Sequence, residues 1–495
     1  MVYKNYISGR WSSALSEETF VKRNPANKEE RIGEFPLSGT RDVNLACQAA
    51  KEALPKWRAL PFPVRGEIMK RFGDLLTEHK EDLAVIETKE MGKVLKETRG
   101  DVQEGIDTAY YAFGEARRFF GHTVPSELPD KLCLTFRRPI GIAGLISPWN
   151  FPVAIPCWKL VPALLSGNAV VFKPSREAPL SATRLIELLV EAGVPGGVVN
   201  LVHGSGTTVG EAILSHPDIG VVSFTGSVET GSRIAEVCGK TLKRVSLELG
   251  GKNGQIVLSD ANLDLALEGV LWGAFGTTGQ RCTATSRLIL EEKIYDKFLA
   301  MLVDRAEKIT IGNGLNEKMQ MGPLVSEKQL AKVKEYVKIG KNEGARLVIG
   351  GEQYTEGECA KGYFFAPTIF ADVTPEMRIA KEEIFGPVLS VIKVKDLNEA
   401  IKVINNVSYG LSSSIYTQDI NKALKARERI EAGITYINGP TIGAECHLPF
   451  GGVKNTGNGH REGGWTVYEI FTEIQTVYID YSGKLQKAQI DTKMG

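Results

Sequence analysis

The hydrophobic positions change their period along the chain. Between residues 42 and 118 they recur every three to four residues, most clearly in "FPVRGEIMKRFGDLL", and this spacing predicts three amphipathic helices. His79 falls on their apolar face, so a core or boundary position is expected for it. From 141 to 251 the apolar residues instead form short β-branched runs: "GIAGLIS", "NAVVFKPS", "GVVNLVHG", "IGVVSFTGS" and "KRVSLELGG". Helix-length segments such as "SATRLIELLVEAG" separate them. Runs apolar throughout suit strands covered on both faces, so the alternation predicts a parallel, doubly wound sheet of five strands. Ligands of such sheets bind beyond the carboxyl ends of the strands, where the polar ends of these runs gather.

A second α/β series occupies 252 to 445, with strands predicted at "NGQIVLS", "SRLILEE", "ARLVIGG", "PVLSVIKV", "SSSIYT" and "GITYING". Two stretches belong to neither series. Residues 123 to 139 read as an extended hairpin, and "EIQTVYID" (473 to 480) alternates like an edge strand. An uncovered edge invites pairing with another chain, so the two are expected to form an oligomerisation element.

Composition changes this picture by exclusion. The 495 residues are too many for one core and predict two or three domains. Sixty Lys and Arg against 59 Asp and Glu leave no field to hold nucleic acid or an anionic membrane. The start lacks the apolar run of a signal peptide, and a cytosolic location is the expectation. Seven scattered cysteines, without a CxxC pair, indicate neither a disulfide framework nor a metal site.

One of those cysteines stands out. In "FGTTGQRCTATSR", Cys282 has small, polar and cationic neighbours, surroundings expected to lower a thiol pKa and to leave room for a ligand. Other strand ends carry further candidates, each with a plainer alternative. Asn150, between Trp149 and Phe151, is either a turn cap or an oxyanion donor. Lys173 is either a surface lysine or a cofactor-hydroxyl ligand. Glu248 ends an apolar strand, where desolvation raises a carboxylate toward the range of a general base, unless it is an exposed turn residue. Gly226 and Ser227 precede a helix whose free amides suit a pyrophosphate or simply an N-cap. Gly204, Gly206 and Gly210 approach a dinucleotide fingerprint but are spaced one residue too far apart. Together an amide donor, a thiol, a carboxylate and a phosphate-ready helix are the parts needed to oxidise an aldehyde through a covalent intermediate.

The chain resembles the aldehyde dehydrogenase superfamily over essentially its whole length, with "SPWNFP", "FKPS", "FTGS", "LELGGKN", "GQRC", "EEIFGPV" and "PFGGVKNTG" in order. The resemblance implies an α/β fold: a Rossmann-type cofactor domain (1–122 and 141–251), a second α/β catalytic domain (252–450), and an oligomerisation element with C-terminal tail (123–140 and 451–495). It implies Cys282 as nucleophile, Asn150 and the Cys282 N–H as oxyanion donors, and Glu248 as the base that activates water. For the cofactor it implies Lys173 at the adenine ribose, Ser227 at the pyrophosphate, Glu383 at the nicotinamide ribose and Phe385 beside the nicotinamide, with Trp149, Ser175, Gly206 and Gly226 also expected to be cofactor-binding. Phe151, Trp158, Arg281, Thr283 and Phe450 match substrate-tunnel positions. A homodimer or homotetramer is implied as well.

Two positions depart from the commonest pattern. Arg281 occurs before the cysteine in relatives that oxidise aldehydes bearing a phosphate or carboxylate, and with "GPTIGAECHLPFGGVKNTGNGHREGG" it makes the chain most similar to α-ketoglutaric semialdehyde dehydrogenases. The alternative is an Arg281 paired with a structural carboxylate. Arg176 stands where NAD-preferring relatives often carry a glutamate, so NADP is expected to be accepted at least as well as NAD, unless Arg176 points into solvent or Glu177 takes that glutamate's place. A CoA-acylating relative typically lacks the general-base glutamate, and a non-catalytic one would not need Cys282, Asn150 and Glu248 intact.

Overall fold

The five predicted strands pair side by side, all parallel, in the order Arg244–Glu248, Ile219–Thr225, Ile142–Ile146, Ala169–Lys173, Val199–Leu201. The computed structural model describes residues 1–119 and 121–492; Phe120 and the last three residues of the 451–495 segment lie outside the described residues. Alternate residues of each strand enter different cores. Val170 and Phe172 pack in one cluster with the helices on their side, while Ala169 and Val171 pack in another on the opposite face. Burial on both faces is why these strands read as unbroken apolar runs rather than as alternating ones. A fully buried side chain such as Phe172 contributes about 1.5–3 kcal/mol.

Two short N-terminal strands, Asn5–Ile7 and Arg10–Ser12, extend the sheet antiparallel beyond Val199–Leu201. The second sheet has seven strands in the order Arg346–Ile349, Thr368–Ala371, Val388–Val394, Thr285–Glu291, Asn253–Val257, Ser412–Tyr416, Ile434–Ile437. All its pairs are parallel except the first. Its strand Thr368–Ala371 was not expected, because three apolar residues near a proline carry no readable period.

The helical region differs from expectation in number. Four helices, not three, span Thr40–Ala59, Phe62–Glu78, Lys80–Met91 and Leu95–Glu115. The second and third meet at His79, whose backbone carries the chain round without a glycine or proline, so the sequence reads them as one. His79 is a boundary residue, with Nδ1 at 3.7 Å from Asp82.

Between these helices lies a fully buried charge cluster. Lys93 Nζ donates to Glu87 at 2.9 Å and to Asp101 at 2.7 Å. Removing one partner of such a cluster typically costs about 3–5 kcal/mol, because the remaining charges stay buried. Asp101 also accepts the Ala154 amide at 2.6 Å, which ties this layer to the segment after Asn150.

The remaining sheet has three strands. Thr472–Asp480 pairs antiparallel with Lys131–Pro139 along its whole length, and Thr123–Pro125 covers the other side. Leu132, Phe136 and Ile479 are exposed on one of its faces. Among the described residues no helix is long and apolar enough to cross a membrane.

Candidate active site

Strand order locates the cleft. From Ile142–Ile146 the chain runs outward on one side through Ala169–Lys173 and Val199–Leu201, then returns to build the other side with Ile219–Thr225 and Arg244–Glu248. The connections therefore part above Ile142–Ile146, and a crevice opens where the loops after that strand and after Ile219–Thr225 diverge. Trp149, Asn150 and Phe151 lie on the first loop, Gly226 and Ser227 on the second.

One end of the crevice is fitted for a dinucleotide. Ser227 is exposed and caps the Val228–Gly239 helix, accepting the Thr230 amide at 3.3 Å. Gly226 donates to the Glu248 carbonyl at 3.0 Å, and a Cβ there would meet the Phe224 ring at 2.4 Å. Beside them the buried Thr225 hydroxyl has no hydrogen-bond partner among the described residues. An open helix start next to an unpaired hydroxyl suits an anionic phosphate.

Lys173 is buried and donates to the Pro174 carbonyl at 2.8 Å; burial, with the Arg176 charge adding, brings it down to about 8. Ser175 accepts the Glu177 amide at 3.2 Å and shapes the turn. Arg176 is exposed, its Cζ 5.7 Å from the Phe20 ring centroid. Glu177 is engaged elsewhere, in an ion pair with Lys22 at 2.7 Å. Gly206 is exposed and opens a single helical turn capped by Ser205, with nothing within 4 Å of where its Cβ would be. That turn runs on into the short helix Glu211–Ser215, without the glycine spacing of the dinucleotide fingerprint.

The other end holds the thiol. Cys282 is half-buried at the end of an irregular turn that leads into Thr285–Glu291. Here the structure corrects the sequence reading. Burial pushes the thiol up to about 12, and the Glu383 and Glu248 carboxylates push the same way. Arg281 does not counter them, because its guanidinium is engaged by Glu97 at 3.0 Å and by the Thr277 hydroxyl at 2.8 Å. Neighbours in sequence are not neighbours in charge at this turn.

Asn150 is buried, and its amide donates to the Gln280 carbonyl at 3.2 Å, which brings it to the backbone just before Cys282. A second N–H remains on the same nitrogen. Glu383 accepts the Gly251 amide at 3.0 Å; burial raises its carboxyl, while that bond and Lys332 and Lys252 oppose the rise. Phe385 adopts a left-handed backbone with φ +62° and stands edge-on to Trp149, ring centroids 5.5 Å apart. Gln329 fixes that conformation by donating to the Ile384 and Phe385 carbonyls at 3.1 and 2.7 Å.

Glu248 is buried, and neither carboxylate oxygen has a partner among the described residues. Desolvation raises it well above the ordinary carboxylate range, and Glu462 adds to the rise. Gly451, with φ +148°, leaves it room, since a Cβ there would lie 2.6 Å from Glu248 Oε1. Behind it is a buried group that sequence reasoning missed. Lys159 forms an ion pair with Glu462, and Ser223 bonds both, at 2.8 Å to Lys159 and 3.0 Å to Glu462. A lysine within the otherwise apolar helix "AIPCWKLVPALL" was the available signal.

Two of the aromatic candidates pack against each other. Trp158 and Phe450 lie 5.0 Å apart, inclined by 68°. Phe151 has Lys93 Nζ 3.5 Å and Arg281 Cζ 5.4 Å from its ring centroid. Thr283 is half-buried, with its carbonyl accepting the Thr441 hydroxyl at 2.7 Å. The crevice thus joins a dinucleotide-ready end to a thiol, a desolvated carboxylate and an amide donor, the groups that carry acyl chemistry from an aldehyde.

Known proteins resemble this chain in sequence and fold. The model of the aldehyde dehydrogenase family matches residues 11–477. Alpha-ketoglutaric semialdehyde dehydrogenase of Bacillus subtilis is 43% identical over 477 residues, covering 96% of this chain and 98% of that protein. Alpha-ketoglutarate semialdehyde dehydrogenase of Haloferax volcanii is 44% identical over 480 residues, 97% of this chain and 99% of that protein. The 2,5-dioxopentanoate dehydrogenase of Saccharolobus solfataricus is 42% identical over 475 residues, 95% and 98% respectively. Among solved structures, a betaine aldehyde dehydrogenase from Staphylococcus aureus in complex with NAD+ superposes with TM-score 0.95 at 34% identity, covering 98% of this chain and 96% of that one. With the match running over nearly all of its length, the chain belongs to the aldehyde dehydrogenase family.

Proposed function

We propose that the protein oxidises a semialdehyde with a distal carboxylate, of the 2,5-dioxopentanoate type, to the corresponding acid. Residues 1–122 and 141–251 form the cofactor-binding part in this reading, and 252–450 the catalytic part. Cys282 gives up its thiol proton to water and attacks the aldehyde carbon through Sγ, and the Asn150 amide with the Cys282 N–H holds the oxygen that becomes negative. A nicotinamide dinucleotide, when bound, supplies the hydride acceptor, with Glu383, Lys173 and Ser227 placed to hold its hydroxyls and phosphates. Cys282 is left as a thioester. Glu248, raised by burial well above the ordinary carboxylate range, takes a proton from the water that hydrolyses it.

The observation that carries the substrate reading is the cation beside Phe151. Arg281 lies along Phe151, and although Nε and Nη2 are engaged, Nη1 has no hydrogen bond among the described residues. The names of the similar proteins support the same class. The engagement of Glu177 by Lys22 supports Arg176 as the residue at the ribose edge, and hence acceptance of NADP at least as good as that of NAD. The exposed apolar face of the three-stranded sheet supports a homodimer or homotetramer.

Glu248→Gln is expected to form reduced cofactor in a single turnover yet to lower steady-state turnover by about 100-fold or more. Full steady-state activity in that variant would remove Glu248 from the mechanism.

Substrate charge is read as the ratio of kcat/KM for 2,5-dioxopentanoate to that for pentanal. The ratio is expected to be roughly ten or more in the wild type and near one in Arg281→Leu, since a charged hydrogen bond is worth about 1.5–3 kcal/mol. Equal losses on both substrates, leaving the ratio unchanged, would make Arg281 structural.

For the cofactor, kcat/KM with NADP is expected to match or exceed that with NAD, and Arg176→Glu is expected to shift the ratio toward NAD. A wild type that strongly prefers NAD, or a substitution that leaves the ratio unmoved, would refute this.

A further inference from the structure

The turn that delivers Cys282 is strained and needs outside support. Thr277, Thr278 and Gly279 take successive left-handed conformations, with φ of +52°, +57° and +67°. For a residue with a Cβ such a conformation costs on the order of 1–3 kcal/mol and persists only where the surroundings fix it. Gly279 is required on a further ground, since a Cβ would lie 2.2 Å from the Gly386 carbonyl oxygen.

Most of the bonds that fix the turn come from the second half of the chain. Thr278 donates to the Gly322 carbonyl at 2.9 Å, and Gln280 accepts the Val325 amide at 2.9 Å. One support comes from the helical layer of the first sheet. Glu97, on the Leu95–Glu115 helix, accepts the Thr277 amide with both oxygens, at 2.8 and 3.0 Å, and binds Arg281 at 3.0 Å. Gly276 leaves it room, as a Cβ there would lie 3.0 Å from Glu97 Oε1.

One helical turn further along, on the same face, Asp101 accepts the amide of Ala154, just after the Asn150 loop. Lys93, buried against Asp101, fixes that carboxylate in turn. Gly105, one turn beyond, brings the helix close to this segment, since a Cβ there would meet Val153 at 3.1 Å and Cys157 at 3.2 Å. Two carboxylates four residues apart on one rigid helix therefore hold the two loops that carry the thiol and the oxyanion donor.

We propose that Glu97 is a positioning residue for the reaction: by binding the Thr277 amide and the Arg281 guanidinium together, it sets Cys282 in register with Asn150. It touches neither substrate nor cofactor in this account. Its contribution is to the geometry of attack, where a misplacement of about 1 Å costs roughly 100-fold in rate. The proposal rests on the family's aldehyde oxidation and is independent of which aldehyde or which dinucleotide the protein prefers.

The test is a single-turnover measurement, with enzyme in excess over propanal and NAD saturating, read as the rate of reduced-cofactor formation. Glu97→Gln keeps the side chain's size but loses the charge that holds Arg281 and one of the two acceptors. Its single-turnover rate is expected to fall about tenfold or more, while the dissociation constant for NAD stays within about twofold and the thermal midpoint within a few degrees. Glu97→Asp, which keeps the charge with a shorter reach, is expected to fall between wild type and Glu97→Gln. A rate within about twofold of wild type in Glu97→Gln overturns the proposal. So does a loss that tracks a collapse of thermal midpoint and NAD affinity in both variants, which would make Glu97 a stabilising residue only.

Discussion

Everything at the cleft depends on acidic groups held out of water around one thiol. Glu248 and Glu383 both face Cys282, and burial raises all three. Burial acts on each group separately, and the two carboxylates add their charge against ionisation of the thiol. The ligand-free site is therefore a poor nucleophile kept in waiting, and it suits a partner that brings positive charge. An oxidised nicotinamide ring is such a partner, and near this end of the cleft Trp149 and Phe385 pack edge to face against each other. The same kind of desolvation that restrains the thiol raises Glu248.

The sheet architecture puts these groups together without any of them being close in sequence. Glu248 ends one strand, Asn150 follows another, and Cys282 precedes a strand of the second sheet. Because the supports are long-range, the cleft is built at the seam between two separately packed sheets, and the seam is closed by polar contacts. Asn150 to Gln280, Glu97 to Thr277 and Glu383 to Gly251 all cross long stretches of chain, and each ends on a backbone group. Bonds to backbone fix loop position regardless of which side chains the loop carries.

How much of this was legible follows from how far each signal extends along the chain. Strands covered on both faces leave unbroken apolar runs, so both sheets were readable apart from Thr368–Ala371 and the N-terminal edge pair. Strand ends carry their polar residues with them, which is why Glu248, Asn150 and Lys173 could be singled out before any coordinates. The electrostatics of Cys282 could not be, because Arg281 turns to a carboxylate from the first helical layer while the groups that act on the thiol are Glu383 and Glu248. Lys159 and Glu462, 303 residues apart, left only half a signal, a charge in an apolar helix with no visible partner. The extra helix escaped because His79 turns the chain without the residues that usually mark a break.

The most direct measurement is the pH dependence of Cys282 alkylation by iodoacetamide in the ligand-free protein, followed at the peptide that contains it. Only the thiolate reacts, so the rate follows ionisation. With the thiol pushed up to about 12, the logarithm of the rate should rise with unit slope from about pH 7 to about pH 10 and show no plateau. A plateau reached below about pH 8 would mean a thiol already ionised, and would contradict the account that burial, with the Glu383 and Glu248 carboxylates adding, holds it protonated.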